Sequence, residues 1–163
     1  MAQKAVSVGV RFRCSLLCLA LILPGGGMCA EQTLRSQAAT PAAFTEKTAS
    51  DLLLRLSEAL QGHSQKKMLA LFDLPQMKGG GSFKEQINLF FAQTESIRVH
   101  LNLIETAVAG ERPSFTVDAE MDAQPSNGGQ AWRRNERLTL TAANVSGSWK
   151  LVEIQPRSFF SLP

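Results

Sequence analysis

Gly147-Ser148-Trp149-Lys150-Leu151-Val152-Glu153-Ile154 forms the last extended segment of the chain, and its reading decides the fold. Trp149, Leu151, Val152 and Ile154 do not share the parity of a two-residue repeat. A β-bulge within residues 150–152 would bring them to one face. Just before it, Asn144, Ser146 and Gly147 are the residue types of a tight turn, so Asn144-Val145-Ser146 is read as turn chemistry rather than as a glycosylation acceptor. Working backwards, residues 132–142 form a third strand, and residues 124–130, rich in Pro, Ser, Asn and Gly, are the loop that enters it. A second strand places Phe115, Val117, Ala119 and Met121 against Ser114, Thr116, Asp118, Glu120 and Asp122. A first strand alternates Ile97, Val99, Leu101 and Leu103 with Arg98, His100 and Asn102. Such alternation means one buried face and one wet face.

The register of the second hairpin follows from its charges. If paired residue numbers sum to 255, Val117 meets Leu138 and Phe115 meets Leu140 on the apolar face. Asp122 then meets Arg133 and Asp118 meets Arg137 on the wet face, and a slip of one residue would reverse both faces.

Upstream of residue 96 the apolar period is 3.6. Thr40-Pro41 is read as an N-cap followed by proline in the first turn, opening a helix whose apolar face carries Phe44, Ala49, Leu52, Leu53, Leu56, Ala59 and Leu60 and which ends at Gly62. Ser64 caps a second, shorter helix stopped by Leu74-Pro75. Residues 76–81 read as a flexible connector. Ser82-Phe83-Lys84-Glu85 reads as a capping box opening a third helix, to about Thr94, that buries Phe83, Ile87, Phe90 and Phe91.

The first thirty residues have a different character. Lys4, Arg11 and Arg13 precede an apolar run of about ten residues, Pro24 and three glycines, the order of a secretory signal peptide. A helix crossing a bilayer needs roughly twenty apolar residues, so no membrane span is expected. Cleavage is placed near Ala30, giving a secreted or periplasmic protein. The alternative is a lipid anchor at Cys29, which Met28, not a small residue, argues against. Residues 31–40 read as a disordered tether and residues 41–163 as one domain. The leader holds three of the 17 basic residues and none of the 14 acidic ones, so the remainder carries 14 of each sign. Nucleic acid is not an expected partner. All three cysteines, Cys14, Cys18 and Cys29, lie in the leader, which excludes a disulfide framework or a thiol nucleophile from the domain.

Three helices followed by an antiparallel meander, closing on Gly147-Ser148-Trp149-Lys150-Leu151-Val152 and a Pro156-x-x-Phe159-Phe160 tail, resemble the nuclear transport factor 2-like superfamily, with its cystatin-like cone fold, over about residues 41–160. The resemblance implies an α+β fold in which three N-terminal helices pack in the concave face of a curved four-stranded antiparallel sheet. The cone interior of such proteins can hold a small ligand, and the outer sheet face often forms a homodimer. Isomerases of the superfamily use a pocket carboxylate with a tyrosine and a second acid, and its dehydratases combine tyrosines with histidine and aspartate. This chain has no tyrosine, so no catalytic residue is assigned.

The polar residues of inward parity are the candidate ligand-binding set. Trp132, Arg134 and Glu136 share a face with Leu138 and Leu140, and Glu105 and Glu153 lie on similar parity near strand ends. Together they suggest a polar mouth on an apolar pocket, with the arginine gripping an anionic group; the competing reading is an Arg134–Glu136 pair at the rim. His63 and His100 are read as surface histidines, and no ligand spacing points to a metal or other cofactor. Arg133, Arg134 and Arg137 face Asp118, Glu120 and Asp122 and are read as a neutralised surface. The expectation is a non-catalytic extracytoplasmic domain binding a small apolar or amphipathic ligand or a protein. The alternatives are a proton-transfer enzyme with Glu136 as base and Arg134 as its electrostatic partner, or a sheet-mediated dimerisation module without ligand.

Overall fold

The computed structural model describes residues 43–108 and 112–163; the expected leader, tether and Thr40-Pro41 cap lie outside them. Helix α1 (Glu46–Gln61) starts from Thr45, not from Thr40. Thr45 is extended, and its Oγ1 accepts from the Thr48 N–H at 3.2 Å, satisfying a donor that the first turn leaves without an intrahelical partner. The expected apolar stripe is buried along it, Leu56 and Leu60 almost completely. Ser64 caps α2 (Gln65–Ala70) as read.

Helix α3 (Gly80–Gln93) departs from its local signal. Its N-cap is Gly79, in the left-handed region at φ 66°, and the Ser82/Glu85 box is not used as a cap. Tertiary packing overrides it. Gly80 is buried beneath the Leu74 carbonyl, and Met77 is buried beside it. The connector is also fastened from outside, because the Arg157 guanidinium donates to the Lys78 and Gly79 carbonyls. It is therefore a fixed turn rather than a loose link.

Strands β1 (Thr94–Ala107), β2 (Ser114–Pro125), β3 (Trp132–Val145) and β4 (Ser148–Gln155) form one antiparallel sheet in the order β1-β2-β3-β4. The register of β2 on β3 is the one the charges require, with Val117 opposite Leu138 and Asp118 opposite Arg137. Between β3 and β4, Ser146 and Gly147 both take positive φ, 51° and 85°, the geometry of a tight hairpin turn. Asn144 Oδ1 accepts from the Gly147 N–H at 3.0 Å. The expected β4 bulge is present: Thr141 pairs with Glu153 but Ala142 with Leu151, leaving Val152 as the extra residue. β1 carries two further register shifts that its alternation does not mark, one between Thr94 and Ser96 and one between Leu103 and Glu105.

The helices and the inner sheet face share one core. Phe83, Phe90, Phe115, Phe159 and Phe160 are at most 1% exposed, and Phe160 lies edge-on to Phe83, Phe90 and Phe159 with centroids 5.2–6.1 Å apart. Edge-to-face contacts of this kind add to the area term. Two stretches of sheet edge are covered. The Leu71 carbonyl and Asp73 N–H pair with Leu151 of β4 at 2.9 and 2.8 Å, and beyond the end of β4 the tail lies against β3 through a 3₁₀ turn at Arg157–Phe160.

Candidate functional site

Because β4 pairs with β3 only from Thr139 to Val145, residues 132–138 of β3 present inward side chains at the mouth of the cone. Trp132, Arg134 and Glu136 meet there, as their shared parity requires. The Arg134 guanidinium lies over the Trp132 ring, 4.9 Å from its centroid, and its Nε is 3.9 Å from Glu136 Oε1. Its main partners are carbonyls of the tail. One terminal nitrogen donates to Phe159 O at 3.1 Å, to Ser161 O at 2.6 Å and to Ser158 O. Glu136 accepts from Ser158 Oγ at 3.4 Å.

The mouth is thus occupied by the chain itself. Phe159 and Phe160 plug the interior, Gln86 of α3 donates to Arg157 O at 2.8 Å and Ser161 Oγ at 3.2 Å, and Arg134 holds the turn's final carbonyls. A cation at such carbonyls is well placed electrostatically. The arginine grips an anionic partner only in the sense of the nearby Glu136. The rim-pair reading describes this geometry, with the tail as the third component.

Glu105 and Glu153 do not join the mouth. The β1 bulge absorbs Ile104 and puts Glu105 opposite Thr116, on the outer face. Glu153 pairs with Thr141, also outward, and accepts from the Gln155 side chain at 2.5 Å. His63 is more than a solvated histidine: in a left-handed turn at φ 48°, its Nε2 donates to Thr94 O at 2.7 Å, tying the end of α1 to the start of β1. Among the described residues no group of three or more His, Cys, Asp or Glu side chains is arranged to hold a metal ion, and no helix is long and apolar enough to cross a membrane.

The arginine cluster of the sequence is split between the two faces. Arg133 and Arg137 point outward and pair with Asp122 at 2.6 Å and Asp118 at 2.8 Å, and Glu120 lies 3.3 Å from Arg133. Hydrogen bonds from Arg137 and Arg133 hold the carboxyls of Asp118 and Asp122 below their ordinary value of 3.8. A depressed carboxylate contributes stability above its unfolded value and loses it as pH falls through the folded one. The thermal midpoint is therefore expected to fall on acidification below about pH 4, and the Asp118→Asn/Asp122→Asn double variant to show a shallower fall; equal slopes would show that these exposed pairs contribute nothing. Solvent screening keeps the effect small.

The grooves of this surface are open ones. One of 500 Å3 runs beside Trp132, past Gln93, Ser126 and Leu162. Another of 570 Å3 separates α1 from the β1 edge. A third, of 560 Å3, lies on the outer sheet face among His100, Asn102, Asp118, Glu120 and Arg137 and reaches Glu136; none of the three includes Arg134.

No protein-family model matches the chain, and no curated protein matches it. Solved structures do. A conserved protein from Planctomyces limnophilus superposes with TM-score 0.59 at 13% identity, covering 67% of this chain and 91% of that one. A nuclear transport factor 2-like superfamily protein from Salmonella enterica serovar Typhimurium gives TM-score 0.59 at 14% identity, covering 66% and 86%. The hexachlorocyclohexane dehydrochlorinase LinA-type3 from Novosphingobium barchaimii gives 0.54 at 12%, covering 66% and 82%. At these identities the likeness shows a shared fold, and one fold hosts unrelated chemistries. This chain has the nuclear transport factor 2-like fold.

Proposed function

We propose that this chain is a non-catalytic extracytoplasmic domain that works through its surfaces by binding protein, not through a reaction inside its cone. One observation carries the reading: Arg134 and Glu136, the only charged pair at the mouth among the described residues, are engaged with the chain's own tail while Phe159 and Phe160 fill the space behind them. A general base must reach the proton it abstracts, and Glu136 faces Ser158 and Arg134 instead. The basic, apolar and Pro/Gly order of the first thirty residues supports export, with a mature protein beginning at Glu31.

A second reading, an apolar or amphipathic ligand, is favoured by the groove beside Trp132. Titration with anilinonaphthalene sulfonate separates the two. The protein-binding reading expects no saturable fluorescence. Saturable binding near one equivalent that is lost in Trp132→Ala would replace it with the ligand-binding reading.

A further inference from the structure

β1 is the one edge of this sheet that the described residues leave uncovered. The β4 edge receives Leu71 and Asp73, and the open end of β3 receives the tail, whereas β1 pairs only with β2. It is 14 residues long and contains neither proline nor lysine, two of the devices that normally protect an edge from pairing.

The orientation of its backbone can be fixed. The Val99 carbonyl accepts from Gln61 Nε2 at 3.2 Å, so it points away from β2 towards α1. By strand alternation the amides and carbonyls of Leu101 and Leu103 point the same way. A side-chain amide on Val99 stands in for the hydrogen bond that a neighbouring strand would give. Three of the four large exposed apolar side chains among the described residues lie around this edge: Leu54, midway along α1, is 59% exposed, Ile104 47% and Val108 62%, and the fourth, Leu89, is on α3. Such a cluster is a feature of association surfaces. By contrast, none of the large exposed apolar side chains among the described residues belongs to β2 or β3, which carry the outer-face ion pairs.

We propose that the outer edge of β1 pairs antiparallel with the same edge of a second copy of this chain, about a two-fold axis at Leu101. The occupant follows from charge. With Leu101 opposite its own copy, Val99 meets Leu103 and His100 meets Asn102. Ile104 is taken up by the bulge, as it is against β2, so Arg98 comes opposite Glu105. Arg98 and Glu105 both lie on the outer face, opposite Asp122 and Thr116 respectively, so the register makes two identical ion pairs, one on each side of the axis. A slip of two residues would remove both. On the inner side, the cleft between α1 and the edge, lined by Ser50, Leu54, Ser57 and Gln61, brings Leu54 near its copy, because the midpoint of α1 lies beside the middle of the strand. The result is a continuous eight-stranded sheet. This interface does not depend on the state of the cone mouth, which lies on β3.

The test is sedimentation of the full chain with its own N-terminus across about 1–100 µM. A dimer is expected. Arg98→Glu, a substitution at an exposed site, should weaken it by at least about tenfold through like-charge contact with Glu105. Arg98→Glu/Glu105→Arg should restore it to within about threefold. Hydrogen exchange at the Leu101 and Leu103 amides should be slow in the dimer and fast on dilution. A monomer throughout, a dimer indifferent to Arg98→Glu, or a double variant that stays weak overturns the proposal. Protection of those amides that survives dilution also overturns it, because the chain's own N-terminal residues would then cover the edge.

Discussion

Arg134→Met lowers folding stability by about 2–4 kcal/mol, because hydrogen bonds to a charged donor contribute about 1.5–3 kcal/mol each and the three made here share one nitrogen. Methionine keeps most of the aliphatic volume over Trp132. It removes the guanidinium donor from the carbonyls of Ser158, Phe159 and Ser161, leaving Ser158 O only the Ser161 N–H at 2.9 Å, and it leaves Glu136 with Ser158 alone. Arg134→Lys should recover only part of the loss, since an ammonium cannot reproduce the planar guanidinium at this site. Urea unfolding reads the shift in midpoint. Hydrogen exchange localises it, because amides of the Arg157–Phe160 turn should exchange faster while those of β2 keep their protection relative to the lowered global stability. A change under about 1 kcal/mol would mean that the apolar plug, and not the arginine, holds the tail.

Gly80→Ala is expected to cost about 3 kcal/mol or more, at the upper end of overpacking effects. A Cβ at Gly80 would lie 2.1 Å from the Leu74 carbonyl oxygen and 2.9 Å from its carbon. Those are main-chain atoms, so relief requires moving the turn that connects α2 to α3, which Met77 and Arg157 hold in place. Gly81→Ala is the matched control. It is the next residue of the same helix, exposed, with nothing within 4 Å of its Cβ position, and it should stabilise by up to about 1 kcal/mol through helix propensity. Thermal or urea unfolding of the pair measures the packing term directly. Equal effects would show that the Leu74 approach is not a constraint on the fold.

What the sequence made legible depended on how many signals agreed. The β2–β3 register could be read because alternation and opposed charges selected the same pairing, and the β4 bulge because Leu151, Val152 and Ile154 could not share a face without it. The β1 bulge stayed hidden: Leu103 and Ile104 are both apolar, so nothing in the alternation marks the extra residue, and Glu105 was placed on the wrong face. At α3 a strong local signal lost to a tertiary one, since the closeness of Leu74 to Gly80 cannot be read from either residue's neighbours. Thr40-Pro41 masked Thr45, whose hydroxyl has the same capping chemistry five residues later. The candidate site was half legible. Parity gathered Trp132, Arg134 and Glu136, but the partners of Arg134 are backbone carbonyls, which every residue possesses and which therefore leave no pattern in a sequence. Pro156 followed by Phe159-Phe160 was the available sign that the tail turns back into the core.

Native mass spectrometry of the protein purified from its own host addresses the closed cone most directly. The tail-filled mouth predicts a mass accounted for by polypeptide alone, whether one copy or two, with nothing released on denaturation. A stoichiometric small molecule that leaves only when the chain unfolds would contradict it, and would return Arg134 and Glu136 to the role of ligand-binding groups.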